Sequence, residues 1–331
     1  NRQLFPKEEF DYIIIDEVHK AGANSYQELV NYFKPQFLLG MSATPERSDD
    51  FDIYKMFDYN IAYEIRLQQA MEYDLLCPFH YYGITDMTID DHVIDDKSDF
   101  NLLVDEKRVD YVIDKINDYG YSGDRVHGLI FVSRKEEAHR LSEMFNQRGF
   151  NTCALTGEAT ENQRQEAMDS LESNEDDSLD YIFTVDIFNE GIDIPKVNQV
   201  VMLRPTQSSI IFIQQLGRGL RKNNEKDYVV VIDFIGNYEK NFFIPIALSG
   251  NFNKDNLRRF VSEGNLIIPG ASTIQFDEIS KKRIFNAIDL ARFNDIKYIK
   301  DSYKDLKAKI GRIPELEDFE KYGAIDVQRI F

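Results

Sequence analysis

Cysteine is nearly absent from this chain of 331 residues: Cys77 and Cys153 are the only two. Two isolated thiols build neither a zinc site nor a disulfide framework, which points to a reducing, cytoplasmic setting. No apolar run approaches the ~18 residues that a membrane helix needs, so no membrane partner is expected. The N-terminus, Asn1-Arg2-Gln3, has no signal-peptide pattern and no initiator methionine. It reads as a cut made inside a longer protein. An excess of basic charge is also missing, since 39 Lys and Arg stand against 58 Asp and Glu for a net charge of −19. That excludes a uniformly basic nucleic-acid coat but leaves room for a local basic track.

What is present is an ordinary globular composition, 43% hydrophobic and 29% charged, with a length that allows two or three domains at ~100–200 residues each. Short apolar runs alternate with helical patterns. Phe10–Asp16 and Phe37–Met41 read as strands around a helix at Ser25–Tyr32. Two strands do not make a self-sufficient lobe, so this first lobe reads as partial. Cys77-Pro78 marks a boundary, because proline disfavours helix at the residue before it. From His80 to Phe234 strands and helices alternate, which predicts a parallel sheet with helices on both faces. After Gly250 the alternation gives way to helical patterns. The expected organisation is therefore α/β, with domains over 1–77, 78–250 and 251–331, the last mainly helical. Asp86–Phe100, rich in aspartate, reads as an acidic insertion or mobile loop. The basic residues after Gly250, among them Lys254, Arg258, Arg259, Lys281 and Lys282, read either as a phosphate track or as a solvated helix face.

Two motifs carry the chemistry. Ile13-Ile14-Ile15 runs into Asp16-Glu17 at the end of a predicted strand. A carboxylate there can hold Mg²⁺ through water, and a second can orient or deprotonate an attacking water; the plain alternative is a solvated acidic turn. Some two hundred residues later, Gln214-Gln215-Leu216-Gly217-Arg218-Gly219-Leu220-Arg221 places Arg218 and Arg221 about one helical turn apart. A guanidinium pairs bidentately with phosphate and stays charged.

IIIDEVH resembles motif II of superfamily 2 helicases of the DEAD/DEAH type, and LLGMSATPERSD resembles motif III. The resemblance makes Asp16 the Mg²⁺-associated residue and Glu17 the group that positions water. It makes His19 a link from the nucleotide site to motif III or to the second lobe, and Ser42 and Thr44 lobe-coupling residues. GLIFVSRKEEAHRL resembles motif IV, with Ser133 or Arg134 as a nucleic-acid phosphate contact. Leu155-Thr156-Gly157 resembles a further backbone contact, through Thr156 and Gly157. TVDIFNEGIDIP resembles motif V, with Gly191 and Asp193 beside the nucleotide. QQLGRGLR resembles motif VI, where Gln214, Arg218 and Arg221 complete the catalytic set. The resemblance covers roughly residues 10–235.

The family implies RecA-like lobes, a partial first and a complete second, that hydrolyse ATP with Mg²⁺ between them to drive a helicase or translocase. The Glu-Gly-Ile-Asp-Ile-Pro form of motif V with a Gln-leading motif VI looks closer to restriction and repair motors than to RNA-type DEAD-box proteins, which start motif VI with His and end motif II in Asp. DNA is thereby favoured over RNA as partner, and a nuclease domain in the same full-length chain is a further expectation. One departure is sharp: no Gly-x-x-x-x-Gly-Lys-Ser/Thr phosphate loop occurs in these residues. The fragment alone is therefore expected to be inactive. The other reading is a non-catalytic nucleic-acid-binding or assembly module that retains a helicase fold.

Overall fold

A strand buried on both faces needs apolar side chains at every position rather than at alternate ones. Among the described residues four strands are buried at every position and, apart from Thr184, Gln199 and Asp233, carry no polar side chain. The computed structural model describes residues 4–16, 18, 24–42, 54–65, 67–185, 194–205, 216–217, 219–249, 254–263, 271–291, 303, 306–307, 310 and 312–321. They fall into two compact units, Asn1–Ile65 with Arg292–Phe331, and Arg66–Ala291.

In the first unit, β1 (Tyr12–Ile15) and β2 (Phe37–Gly40) pair in parallel with Ile15 opposite Gly40, and α1 (Asn24–Tyr32) connects them. Ile15 and Val18 are buried against Val30, Leu38, Met56 and Phe57. Gly40 is required here, because a Cβ at that position would run into the Phe57 ring. The opposite face of β1 is open: Tyr12 is 72% and Ile14 62% exposed.

The second unit is built on seven parallel strands. They are β3 (Phe79–Thr85), β6 (Gly128–Phe131), β7 (Thr152–Leu155), β8 (Tyr181–Thr184), β9 (Gln199–Met202), β10 (Val229–Ile235) and β11 (Thr273–Phe276), in the order β11-β3-β10-β9-β6-β8-β7. Every residue of β6, β8, β9 and β10 is buried. One face packs against α4 (Glu106–Tyr119) and α5 (Lys135–Asn146) through Ile130, Phe183, Val201 and Ile232 with Val112, Ile116, Leu141 and Phe145. The residues between these on the strands, such as Leu129, Ile182, Val200 and Val231, are equally buried on the other face. Helix α6 (Glu161–Glu172) begins at a reciprocal capping box between Thr160 and Gln163, which satisfies two donors that the first turn would leave orphaned.

Two expectations change. The aspartate-rich stretch 86–100 is ordered and packed. Thr88–Ile89 (β4) and His92–Val93 (β5) form a hairpin whose two-residue turn, Asp90-Asp91, has φ of 46° and 66°. Paired positive φ values define the turn whose twist suits a hairpin, and aspartate tolerates that region. The aspartates there are turn formers, and Ile89, Ile94 and Leu103 pack beneath them with Tyr238. The region after Gly250 also contributes a strand. β11 adds to the sheet edge beside β3, and Asp277 then caps α9 (Glu278–Leu290), accepting from Ser280 N at 2.7 Å and from Thr85 N at 2.6 Å. Helices α7 (Phe243–Ser249) and α8 (Lys254–Glu263) precede it. Only four consecutive residues of β11 lie between helical patterns, too few for periodicity to separate strand from helix.

A buried ion cluster fastens the end of β3 to both helices of one face. Arg108 is 1% exposed. Its Nε and one terminal nitrogen donate to the two oxygens of Asp86 at 3.1 and 2.8 Å, and the other donates to Leu103 O at 2.7 Å. Glu137 lies 3.8 Å from the same guanidinium. Burial pushes the Glu137 carboxyl up, and Arg108 with the backbone N–H groups of Ser133 and Arg134 pulls it back. Truncating Arg108 leaves two buried carboxyls without their counter-charge, so Arg108→Ala is expected to cost about 3–5 kcal/mol of stability. Urea unfolding measures this, and a loss below about 1 kcal/mol contradicts the counter-charge role.

Candidate functional site

In a parallel sheet all strands start at one edge and end at the other, so every loop belongs to one edge. That sorts the sequence-predicted residues of the second unit into two groups. Ser133 and Arg134 follow β6, and Thr156 and Gly157 follow β7, all at the carboxyl edge. Ser133 N donates to Glu137 Oε2 at 3.0 Å, which fixes the turn before α5. Arg134 is the N-cap of α5 in extended conformation, and its guanidinium donates to Ser98 O at 2.9 Å. Thr156 is only 3% exposed, whereas Gly157 is exposed with open space where a Cβ would stand. Lys135 beside them pairs with Glu158 at 2.7 Å.

Of the predicted nucleotide-side residues of this unit Arg221 is described, and the segment just before it is tied to the amino edge. Leu216 and Leu220 are buried, and Leu220 O accepts from Cys77 N at 2.8 Å just before β3. Gly219 lies flat on the sheet: a Cβ there would stand 2.9 Å from Val229 and 3.3 Å from Val200. The end of the Gly-Ile-Asp-Ile-Pro segment, Ile194, is buried, and Val197 follows it into β9. Arg221 is exposed at this edge. Gln214, Arg218, Gly191 and Asp193 lie outside the described residues. Among the described residues, Ser133, Arg134, Thr156 and Gly157 thus lie at one edge and Arg221 at the other.

In the first unit Asp16 is exposed immediately after β1. Met41 N donates to Ile15 O and Val18 N to Met41 O, both at 2.9 Å, so Asp16 and Ser42 leave neighbouring strand ends. An exposed carboxylate at the carboxyl end of a parallel strand fits a hydrated Mg²⁺, which prefers oxygen donors and keeps most of its waters. Glu17, His19 and Thr44 lie outside the described residues. No cluster of three metal-ligating side chains occurs among the described residues.

Sequence reasoning missed the supports of both edges. Lys226 and Asn198 hold the amino edge, where Asn198 Nδ2 donates to Ser122 O and Arg125 O at 2.7 Å each. Neither has a signal in the sequence, since Lys226 sits in the polar run Arg221–Asp227 and reads as a solvated turn. The basic face after Gly250 is also less free than its composition suggests. Arg258 pairs with Asp289 at 2.7 Å and stacks on Phe285, Arg259 pairs with Glu263, and Lys281 with Glu278.

The conserved C-terminal domain of helicases matches residues 107–223, the res subunit of type III restriction enzymes matches 1–47, and a domain of unknown function matches 299–331. A candidate ATP-dependent helicase of Saccharomyces cerevisiae, IRC3, is 30% identical over 239 residues, 68% of this chain and 34% of its own length. A fragment of a candidate HsdR subunit of a type I restriction enzyme from Vibrio vulnificus superposes with a TM-score of 0.53 at 25% identity, covering 70% of this chain and 45% of that one. The ATP-dependent type ISP restriction-modification enzyme LlaBIII, bound to DNA, superposes with a TM-score of 0.55 over 94% of this chain and 25% of that one; at 18% identity this likeness shows the fold alone. The chain belongs to the superfamily 2 helicases of restriction-enzyme type, with a RecA-like α/β fold. It spans between 34% and 49% of the length of the first curated relatives it matches. No helix among the described residues is long and apolar enough to cross a membrane.

A strongly perturbed carboxyl outside the predicted set is Asp233 on β10. It is fully enclosed and accepts from Tyr81 Oη at 2.6 Å. Burial pushes it up to about 7, opposed by the Tyr81 hydrogen bond and reinforced by Asp86. Its setting is core rather than cleft. The folded protein holds a proton there that the unfolded chain, with an ordinary carboxyl near 3.8, releases. The resulting stabilisation is complete below that ordinary value and is lost as pH rises through about 7. Asp233→Asn keeps an acceptor for Tyr81 and is expected to flatten the fall in melting temperature between about pH 5 and 8. A variant whose melting temperature falls as steeply as that of the wild type contradicts a protonated Asp233.

Proposed function

We infer that this chain is the part of an ATP-dependent DNA helicase or translocase that carries its second motor lobe and the motif II–III segment of its first. The observation that carries the reading is the helicase C-terminal domain match over 107–223. It spans the segments with Ser133 and Arg134, Thr156 and Gly157, Gly191 and Asp193, and Gln214, Arg218 and Arg221. The type III restriction match over 1–47 adds the Asp16-Glu17 segment.

In this proposal Asp16 would hold Mg²⁺, and Glu17 orients and deprotonates the water that attacks the terminal phosphate of ATP. Mg²⁺, when bound, supplies positive charge to the phosphate oxygens. Gln214, Arg218 and Arg221 stabilise the charge that spreads over the transferring group, an effect worth about 10³–10⁵ in rate in comparable systems. Gly191 allows close backbone approach to the nucleotide, and Asp193 accepts from the ribose. His19, Ser42 and Thr44 couple hydrolysis to lobe movement. Ser133, Arg134, Thr156 and Gly157 meet the phosphate backbone at the other edge, where a helix N-terminus and glycine N–H suit an anion. DNA is favoured over RNA by the form of motif V and the Gln-leading motif VI. A nuclease domain elsewhere in the same full-length protein and a cytoplasmic setting belong to the same reading. These residues contain no phosphate loop, so the chain alone is expected to hydrolyse no ATP.

The test is nucleic-acid-stimulated ATP hydrolysis by the full-length protein. Stimulation by duplex DNA well above that by RNA is expected, and a protein that neither nucleic acid stimulates contradicts the motor reading. Glu17→Gln is expected to abolish turnover while ATP binding persists; turnover near wild type removes Glu17 from the mechanism. Arg218→Ala is expected to slow hydrolysis about 10³-fold or more, seen in single-turnover assays with binding retained.

A further inference from the structure

Lys226 is a buried lysine, 7% exposed, that makes no ion pair among the described residues. Its ammonium donates to two main-chain carbonyls, Val197 O at 2.5 Å and Gly219 O at 2.8 Å. Burial pulls it down to about 8, with Cys77 and Glu172 acting weakly the other way. A cation stripped of water and given only carbonyl dipoles is costly to keep. Packing alone does not call for it, since a methionine fills a similar volume without that cost.

The two carbonyls explain what the charge does. Gly219 lies between Arg218 and Arg221. Val197 lies two residues beyond Pro195, which closes the Gly-Ile-Asp-Ile-Pro segment carrying Gly191 and Asp193. The two segments are far apart in sequence, and Lys226 bridges them at the amino edge. Its own backbone is set by a tight turn, with Glu225 N donating to Asn223 Oδ1 at 2.8 Å and a bridge between Asn223 and Lys226. Around it the same contacts repeat. Lys196 Nζ pairs with Glu225 at 2.7 Å, and Cys77 N holds Leu220 O at 2.8 Å. Gly219 completes the arrangement, because any side chain there would lift its carbonyl off Val229.

We propose that Lys226 is a positioning residue: through Val197 O and Gly219 O it fixes the spacing between the segment that holds the nucleotide and the segment that presents the two arginines. The proposal rests on the helicase reading above. The Lys226 ammonium acts through the main-chain carbonyls that it holds. It holds the carbonyl of Gly219, which stands between the two arginines in sequence, so that less rearrangement is needed when charge develops on the phosphoryl group. A cation is suited because it draws in two carbonyls at once, which a neutral donor of equal length does less strongly.

The experiment uses the full-length protein and compares wild type, Lys226→Met and Lys226→Arg in DNA-stimulated ATP hydrolysis. For Lys226→Met, kcat is expected to fall about 10–100-fold, as misplacement by about 1 Å does elsewhere, while KM for ATP and affinity for DNA stay within about twofold. Lys226→Arg, which still donates to two carbonyls, is expected to recover most of kcat. A Lys226→Met enzyme with kcat within about twofold of wild type overturns the proposal. So does a loss that appears in KM and DNA affinity as much as in kcat, because that marks general loosening. Where Lys226→Met fails to fold, Gly219→Ala takes its place: a selective loss of kcat supports the clamp, and an unchanged kcat overturns it. A wild-type protein that hydrolyses no ATP overturns the helicase reading and the clamp with it; an active wild type with an indifferent Lys226→Met overturns the clamp alone.

Discussion

Parallel pairing is the constraint on which the second unit depends. Seven strands run the same way, so the chain must cross the sheet after each one and bury both faces to do so. The crossings explain why α4 and α5 carry apolar stripes and why β6, β8, β9 and β10 tolerate no exposed position. They also explain the division of labour. A residue that follows a strand lies at one edge, and a segment that has already crossed back lies at the other. Ser133 and Gly157 belong to the first class, Gly219 and Val197 to the second.

The edges are stabilised differently. At the carboxyl edge, charge is met by charge: Arg108 satisfies Asp86 and faces Glu137, whose other oxygen fixes the turn at Ser133. A displaced partner there leaves a bare ion in the core, which makes the turn hard to move. At the amino edge, main-chain carbonyls are held by Cys77 N, Asn198 Nδ2 and Lys226 Nζ, beside the Lys196–Glu225 ion pair. The carbonyl contacts fix backbone positions without adding net attraction between side chains.

How much of this was legible in the sequence depended on the range of the contact. The strands and helices from Phe79 to Ile235 could be read because periodicity of apolar residues is a local property, and the motif segments because their spacing is local too. The hairpin at Asp90-Asp91 was misread as a loose acidic insertion, since a run of aspartate looks solvated until Ile89 and Ile94 are seen to pack below it. β11 was missed because its partner, β3, lies nearly two hundred residues away. Lys226 was invisible for the same reason. Its polar neighbours are in sequence, but the carbonyl of Val197 that it binds is brought by the fold. The supports of the two sheet edges were not legible, and the edge to which a described segment belongs followed only from strand order.

β11 has a further consequence, for synthesis. While the chain is being made, β3 emerges early and remains an open edge, because the strand that covers it is encoded after the whole of β10 and two more helices. An uncovered parallel edge is a template for pairing with another chain. The lobe's last seal is therefore applied late, by a segment outside the helicase domain match, and the interval before Thr273–Phe276 arrives is when a nascent chain is most exposed to association with its neighbours.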